Sequence, residues 1–360
     1  MVLRRAAIGL SIVLTSPVAF AQQRVADQAP ASSVSERTYV GGGIAPSRST
    51  HRRRESDGRQ IVVDTTERLG ADGRWEPVEE TVTTTARPGA GTVHTRRELF
   101  TFDSEGRRQL LETTESTQEA LDGSNSRTVE DTWVADINGG RALTSRWIDE
   151  TRTLAPDTRQ TDSTSFRRGV NGSLQESERT VHTERQVEPA VVRHDITQQL
   201  RDPNGRWTAY EARSAEVRDT SASERVDEEL IRRPDVNGRL VVSERVVTRR
   251  SGANGQEQVI VETYSPEIEG VARTDGRLAL SQRVRRSTTA ASDGGRSTVE
   301  ELEARSRVAP GDPMRVVQRT VVTVRNLGPD RQTTERQVFE LDVNGRLAPV
   351  LRETEETAAK

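Results

Sequence analysis

From residue 57 onward the apolar positions follow neither a helical spacing nor long runs. Short stretches rich in Val, Thr, Arg and Glu alternate with turn-forming clusters. β-Branched residues bounded by Gly, Asn, Asp and Pro predict strands, roughly seventeen or eighteen of them, running up and down in sequence order. The fold class expected is all-β: a repetitive antiparallel meander of long hairpins, forming an extended, twisted or curled sheet.

One turn signature punctuates this pattern. It reads Asp136-Ile137-Asn138-Gly139, Asp202-Pro203-Asn204-Gly205, Asp235-Val236-Asn237-Gly238 and Asp342-Val343-Asn344-Gly345, with looser copies ending at Gly73, Gly106, Gly172 and Gly276. The glycines at 73, 106, 139, 172, 205 and 238 are 33 residues apart each time, and Gly276, Gly311 and Gly345 continue the series more loosely. Asp can cap such a turn, Pro presets φ, and Gly takes the left-handed conformation that closes a bulged hairpin turn. A second set of breakers, including Pro88-Gly89, Asp122-Gly123, Pro189 and Asn254-Gly255, falls midway, so one repeat is one long hairpin.

Register predicts the faces. Two residues after the anchor glycine come Trp75, Leu174, Trp207, Leu240, Leu278 and Leu347; six before it come Phe100, Trp133, Phe166 and Phe339. Strict alternation puts these on one face. It puts the arginines at the first position after Gly, and those six further on (Arg179, Arg245, Arg283, Arg352), on the other. On that reading Trp133→Ala costs roughly 3–5 kcal/mol and Arg245→Ala is nearly silent.

The first 56 residues differ from the rest. Arg4 and Arg5 precede an apolar run from Ala6 to Phe20, and Ala19-Phe20-Ala21 ends it with small residues at the flanking positions. This is the pattern of a secretory signal peptide over residues 1–21, too short and interrupted for a membrane anchor. Residues 22–56, with Gly41-Gly42-Gly43 and the basic run His51-Arg52-Arg53-Arg54, show no period and predict a flexible linker. The repeat domain then spans 57–357, with no further membrane-spanning segment.

Composition narrows the function. The chain of 360 residues has no cysteine, which excludes disulfides, thiolate metal sites and a cysteine nucleophile. Its net charge of −3 gives no bulk attraction to nucleic acid. Twelve aromatic residues (five Phe, four Trp, three Tyr) are few for a thick core. The four histidines, His51, His94, His182 and His194, lack ligand spacing and read as surface residues on strands or, for His51, in the linker. The Asp-x-Asn-Gly turns lack the alternating ligands and distal Glu of a calcium loop. Neighbouring carboxylates such as Glu79-Glu80 and Glu228-Glu229 point to opposite faces of a strand, so they cannot share a proton. No nucleophile elbow, phosphate loop or dinucleotide fingerprint is present. The sequence therefore predicts no catalytic, cofactor-binding or metal-binding residue.

The run Asp-x-x-Gly-Arg-Leu, as in Asp235 to Leu240 and Asp342 to Leu347, resembles the core of the YD repeats of RHS-type proteins. That resemblance implies stacked β-hairpins that can wall off a cavity. It departs in lacking the tyrosine before the aspartate and in its longer period. The function expected is an exported, non-enzymatic repeat protein of the cell envelope or secreted space, with a structural role or a protein or cell-surface partner. The alternative is an outer-membrane β-barrel, whose apolar outer band the polar strands do not supply. A secreted carbohydrate-active hydrolase is the third.

Overall fold

The computed structural model describes residues 32–39, 45–122, 124–135, 140–253, 255–266, 278–291, 294–305, 313–328, 331–342 and 344–358. The expected signal segment, the linker glycines 41–43 and the turns at Gly139, Gly276 and Gly311 lie outside these residues. Among the described residues twenty strands form one antiparallel sheet in which sequence neighbours pair throughout. The first strands are β1 (Ser32–Tyr39) and β2 (Ser47–Ser56), and the last are β19 (Arg331–Leu341) and β20 (Leu347–Ala358).

The sheet is not open. β1 pairs with β2 through Ser32↔Arg52 to Arg37↔Ser47, and with β20 through Ser32↔Ala358 to Tyr39↔Leu351. It closes the meander into a barrel, which corrects the expectation of an extended sheet. The strands that close it come from the region read as a linker, so that reading is corrected for Ser32–Tyr39 and Ser47–Ser56. Their Ser, Thr and Arg content gives no apolar period, yet a strand bonded on both sides needs none. At a strand spacing of about 4.8 Å and a tilt of about 40°, twenty strands enclose a wall roughly 40 Å across.

The predicted anchor turns form where they are described. In the turn at Gly238, Gly238 N donates to the Asp235 carbonyl (3.0 Å), and Asp235 N donates to the Arg239 carbonyl (2.8 Å). The Asp235 carboxylate accepts from the Asn237 and Arg239 amides at 2.8 and 2.9 Å. Gly238 has φ +75°, the left-handed conformation that selects glycine there. Asp342 holds its turn in the same way.

A regularity that strict alternation misses follows each anchor turn. The ladder slips by one residue at Val78, Leu111, Ser177, Tyr210, Ser243 and Val350, each five residues after its anchor glycine. Thr144 and Ser281 sit at the same spacing in two further hairpins, and Val317 forms the corresponding bulge six residues after Gly311. At four of these β-bulges the extra residue is Ser or Thr, and its hydroxyl donates to a carbonyl on the neighbouring strand. These bonds are Thr144 to Thr132, Ser177 to Ser165, Ser243 to Ile231 and Ser281 to Thr263, at 3.0–3.1 Å. A bulge bends its strand and steepens the local twist. Repeated in nine hairpins, it adds to the twist and bend that closure of the sheet requires.

The bulge also reverses the face of every residue beyond it. Arg179, Arg245, Arg283 and Arg352 therefore share the face of the aromatics, contrary to the expectation from alternation. Arg179 lies over Trp207 at 4.3 Å and Arg245 over Tyr264 at 5.6 Å. Trp75, Phe100, Trp133, Phe166 and Trp207 are only half-buried. Among the described residues the buried apolar ones are Val191, Ala215, Ile231, Val247, Val324 and Val338, scattered over both faces. Truncating Trp133 to Ala is accordingly expected to cost about 1–2 kcal/mol. Arg245→Ala should cost up to about 1 kcal/mol, because its cation–π contact and its ion pair with Glu228 go together. Thermal unfolding of the two purified variants checks this; a loss of 3 kcal/mol or more in Trp133→Ala would restore a thick aromatic core.

Candidate functional site

Two polar faces line the wall. We name them by content: an aromatic face and a histidine face. On the aromatic face, Trp75, Phe100, Phe102, Trp133, Phe166 and Trp207 form a band near the anchor turns, capped by arginines. Arg108 stacks on Phe100 at 3.4 Å and Arg48 on Trp75 at 4.5 Å. Farther from those turns the same face carries Glu98, Glu115, Asp131, Asp162 and Asp195. Ion pairs tie this charge into the sheet, among them Arg146–Asp131 at 2.6 Å and Arg319–Glu301 at 2.6 Å.

The histidine face also holds buried charge. Glu211 is buried and accepts from Arg213 (2.5 Å) and Arg233 (2.9 Å), and Arg233 bonds Glu244 at 2.7 Å. Glu211 and Glu244, each six residues after its anchor glycine, thus both meet arginine. Glu178 instead accepts from the Tyr210 hydroxyl at 2.7 Å, and burial together with that bond raises the phenol's pKa. Glu228 and Glu229 do point to opposite faces, bonding Arg245 and Arg213 respectively.

Asp149, on β8 (Arg141–Ala155), is the most perturbed carboxyl on this face. Burial pushes its pKa up to about 6, beyond what a bond from Ser163 offsets, and Glu130 on the next strand adds repulsion. Its Oδ1 is buried without a partner. Burial also raises Glu130. Because the folded pKa of Asp149 lies above its unfolded value near 3.8, ionising it costs stability as pH rises from about 4 to 6. Asp149→Asn should therefore stabilise the barrel at pH 7 by about 1–2 kcal/mol after allowance for solvent, and change little at pH 4. Denaturant unfolding at the two pH values measures it; equal shifts at both would show that the carboxylate's charge is not the cause.

The four histidines are not all isolated. His51 bonds Asp64 at 2.6 Å and His94 bonds Thr117 at 3.0 Å. His182, on β10 (Leu174–Glu188), and His194, on β11 (Val191–Arg201), meet across a hairpin, with His182 Nε2 and His194 Nδ1 3.2 Å apart. Burial lowers the pKa of both rings; the charge of His194 lowers His182 further, whereas Glu184 opposes the shift at His194. Sequence spacing missed this pair because its ring contact is diagonal across the ladder, in which His182 faces Ile196 and Glu184 faces His194. Among the described residues no three His, Asp or Glu side chains already converge as a metal cluster. No helix among them is long and apolar enough to cross a membrane, which says nothing of strands.

No protein-family model matches the chain, and no curated protein matches it. Among solved structures it is similar to a mutant ferric enterobactin receptor from Pseudomonas aeruginosa, at 8% identity and TM-score 0.48, covering 91% of this chain and 80% of that one. It is also similar to Pseudomonas aeruginosa OpdO, at 11% identity and TM-score 0.47, covering 92% and 96%. The unliganded ferric citrate transporter FecA gives 6% identity and TM-score 0.48, covering 92% and 79%. Likenesses of this size carry no argument about function, and the barrel is read from its own strand register.

Proposed function

We propose that this chain is an exported, non-enzymatic β-barrel of the cell envelope, acting as a hollow structural body with water on both sides of its wall. Closure by β1 supports a barrel of either kind, and charge on both faces of its wall is the observation that carries this reading. Closure favours a barrel over the open scaffold sheet that the repeats alone suggest, and a barrel leaves no free edge for aggregation. The signal-like segment of residues 1–21 supports export. Charge on both faces away from the anchor turns supports a water-filled setting, since a lipid-facing wall needs an apolar band about 25 Å tall.

A second reading, an outer-membrane barrel, is favoured by closure of an even number of antiparallel strands. Cell fractionation separates the two. The mature protein is expected in the soluble envelope fraction without detergent, as ring-shaped particles roughly 40–50 Å wide by electron microscopy. Retention in the outer membrane until detergent is added, with channel conductance in planar bilayers, would establish the second reading instead. Open ribbons would sink both.

A further inference from the structure

We propose that His182 and His194 form a transition-metal site on the histidine face, completed by Glu184. The two ring nitrogens that face each other, His182 Nε2 and His194 Nδ1, are 3.2 Å apart. Two imidazoles bound to one tetrahedral ion at about 2.05 Å each stand about 3.3 Å apart, so the pair already has the spacing of adjacent ligands. Their neighbouring ladder positions hold the rings in place. His182 sits opposite Thr161 and Ile196, while His194 sits opposite Glu184 and Ala215.

Glu184 supplies the third ligand. Its Oε2 lies 3.8 Å from His194 Nδ1, and its side chain is 44% exposed, free to turn toward the nitrogens. Two imidazoles and one carboxylate suit zinc or copper(II), with water filling the remaining position. Binding requires both facing nitrogens to be unprotonated, so each neutral ring carries its proton on the far nitrogen when the ion is bound.

The test is calorimetric titration of the purified mature barrel with zinc chloride and, separately, copper(II) sulfate. One saturable site per chain is expected. His182→Gln and His194→Gln should each weaken binding by at least about tenfold, and Glu184→Gln by less. A His51→Ala/His94→Ala double variant should bind as the parent does. Circular dichroism confirms that each variant keeps its strand content, and a metal-induced rise in Tm seen in the parent should be absent from His182→Gln. No saturable binding to the parent, or parent-like affinity in folded His182→Gln and His194→Gln, would overturn the site. Because binding is measured on the isolated barrel, its failure leaves the envelope reading standing, and a failed fractionation leaves the metal site standing.

Discussion

Deleting Ser32–Tyr39 opens the barrel. Without β1, β2 and β20 become free edges, and the Arg37–Glu353 pair at 2.9 Å is lost. The remaining strands cannot simply reclose. β1 runs antiparallel to both neighbours, so β2 and β20 run parallel to each other and could meet only as a parallel pair. Two long unpaired edges rich in Thr, Glu and Arg template pairing between copies. The expected result is a shift from discrete particles to large assemblies in size-exclusion chromatography, with strand content retained by circular dichroism. A deletion variant that elutes like the parent would show that the seam contributes nothing to closure.

Glu262→Ala should produce the largest single-residue loss. The residue is 7% exposed, and its carboxylate accepts from Arg249 (2.8 Å), Arg283 (2.7 Å) and the Tyr264 hydroxyl (3.1 Å). Burial alone would raise its pKa, but the two guanidiniums and the phenol outweigh burial and hold it below the usual range. Among the described residues, removing the carboxylate leaves Arg283 with Glu303, at 3.4 Å, as its remaining ion-pair partner. Breaking such a buried pair from one side costs about 2–4 kcal/mol. Glu262→Ala combined with Arg283→Ala should cost less than the sum of the two singles. The sign with pH follows from the depressed pKa: the contribution is present above about pH 4.5 and lost as pH falls through the folded value. Urea unfolding across pH 3–7 measures both effects, and additive single and double losses would show that the two residues do not act together.

Hairpin turns were the most legible feature of the chain. Asp235, Asn237 and Gly238 occupy the turn positions their chemistry dictates, because those preferences act within four residues. The bulge five residues later carries a weaker local mark, a Ser or Thr at 144, 177, 243 and 281. Val78, Leu111, Tyr210 and Val350 fill the same place, and Val317 one residue later, with no residue type that marks a bulge, so alternation alone assigned Arg245 to the wrong face. The candidate metal pair was not legible, since its contact is set by the register of one hairpin.

By itself the sequence determined that the chain is a meander of antiparallel hairpins, with turns near each described anchor glycine and aromatics together near those turns. These are short-range consequences of φ preference, strand alternation and cross-strand neighbours. Only the tertiary structure decided that the sheet closes, that Ser32–Tyr39 is its last partner, and that His182 touches His194. Closure depends on small bends summed over twenty strands and on a pairing between β1 and β20 that lie more than 300 residues apart. No local pattern encodes such a sum, because each hairpin would form the same way in an open ribbon.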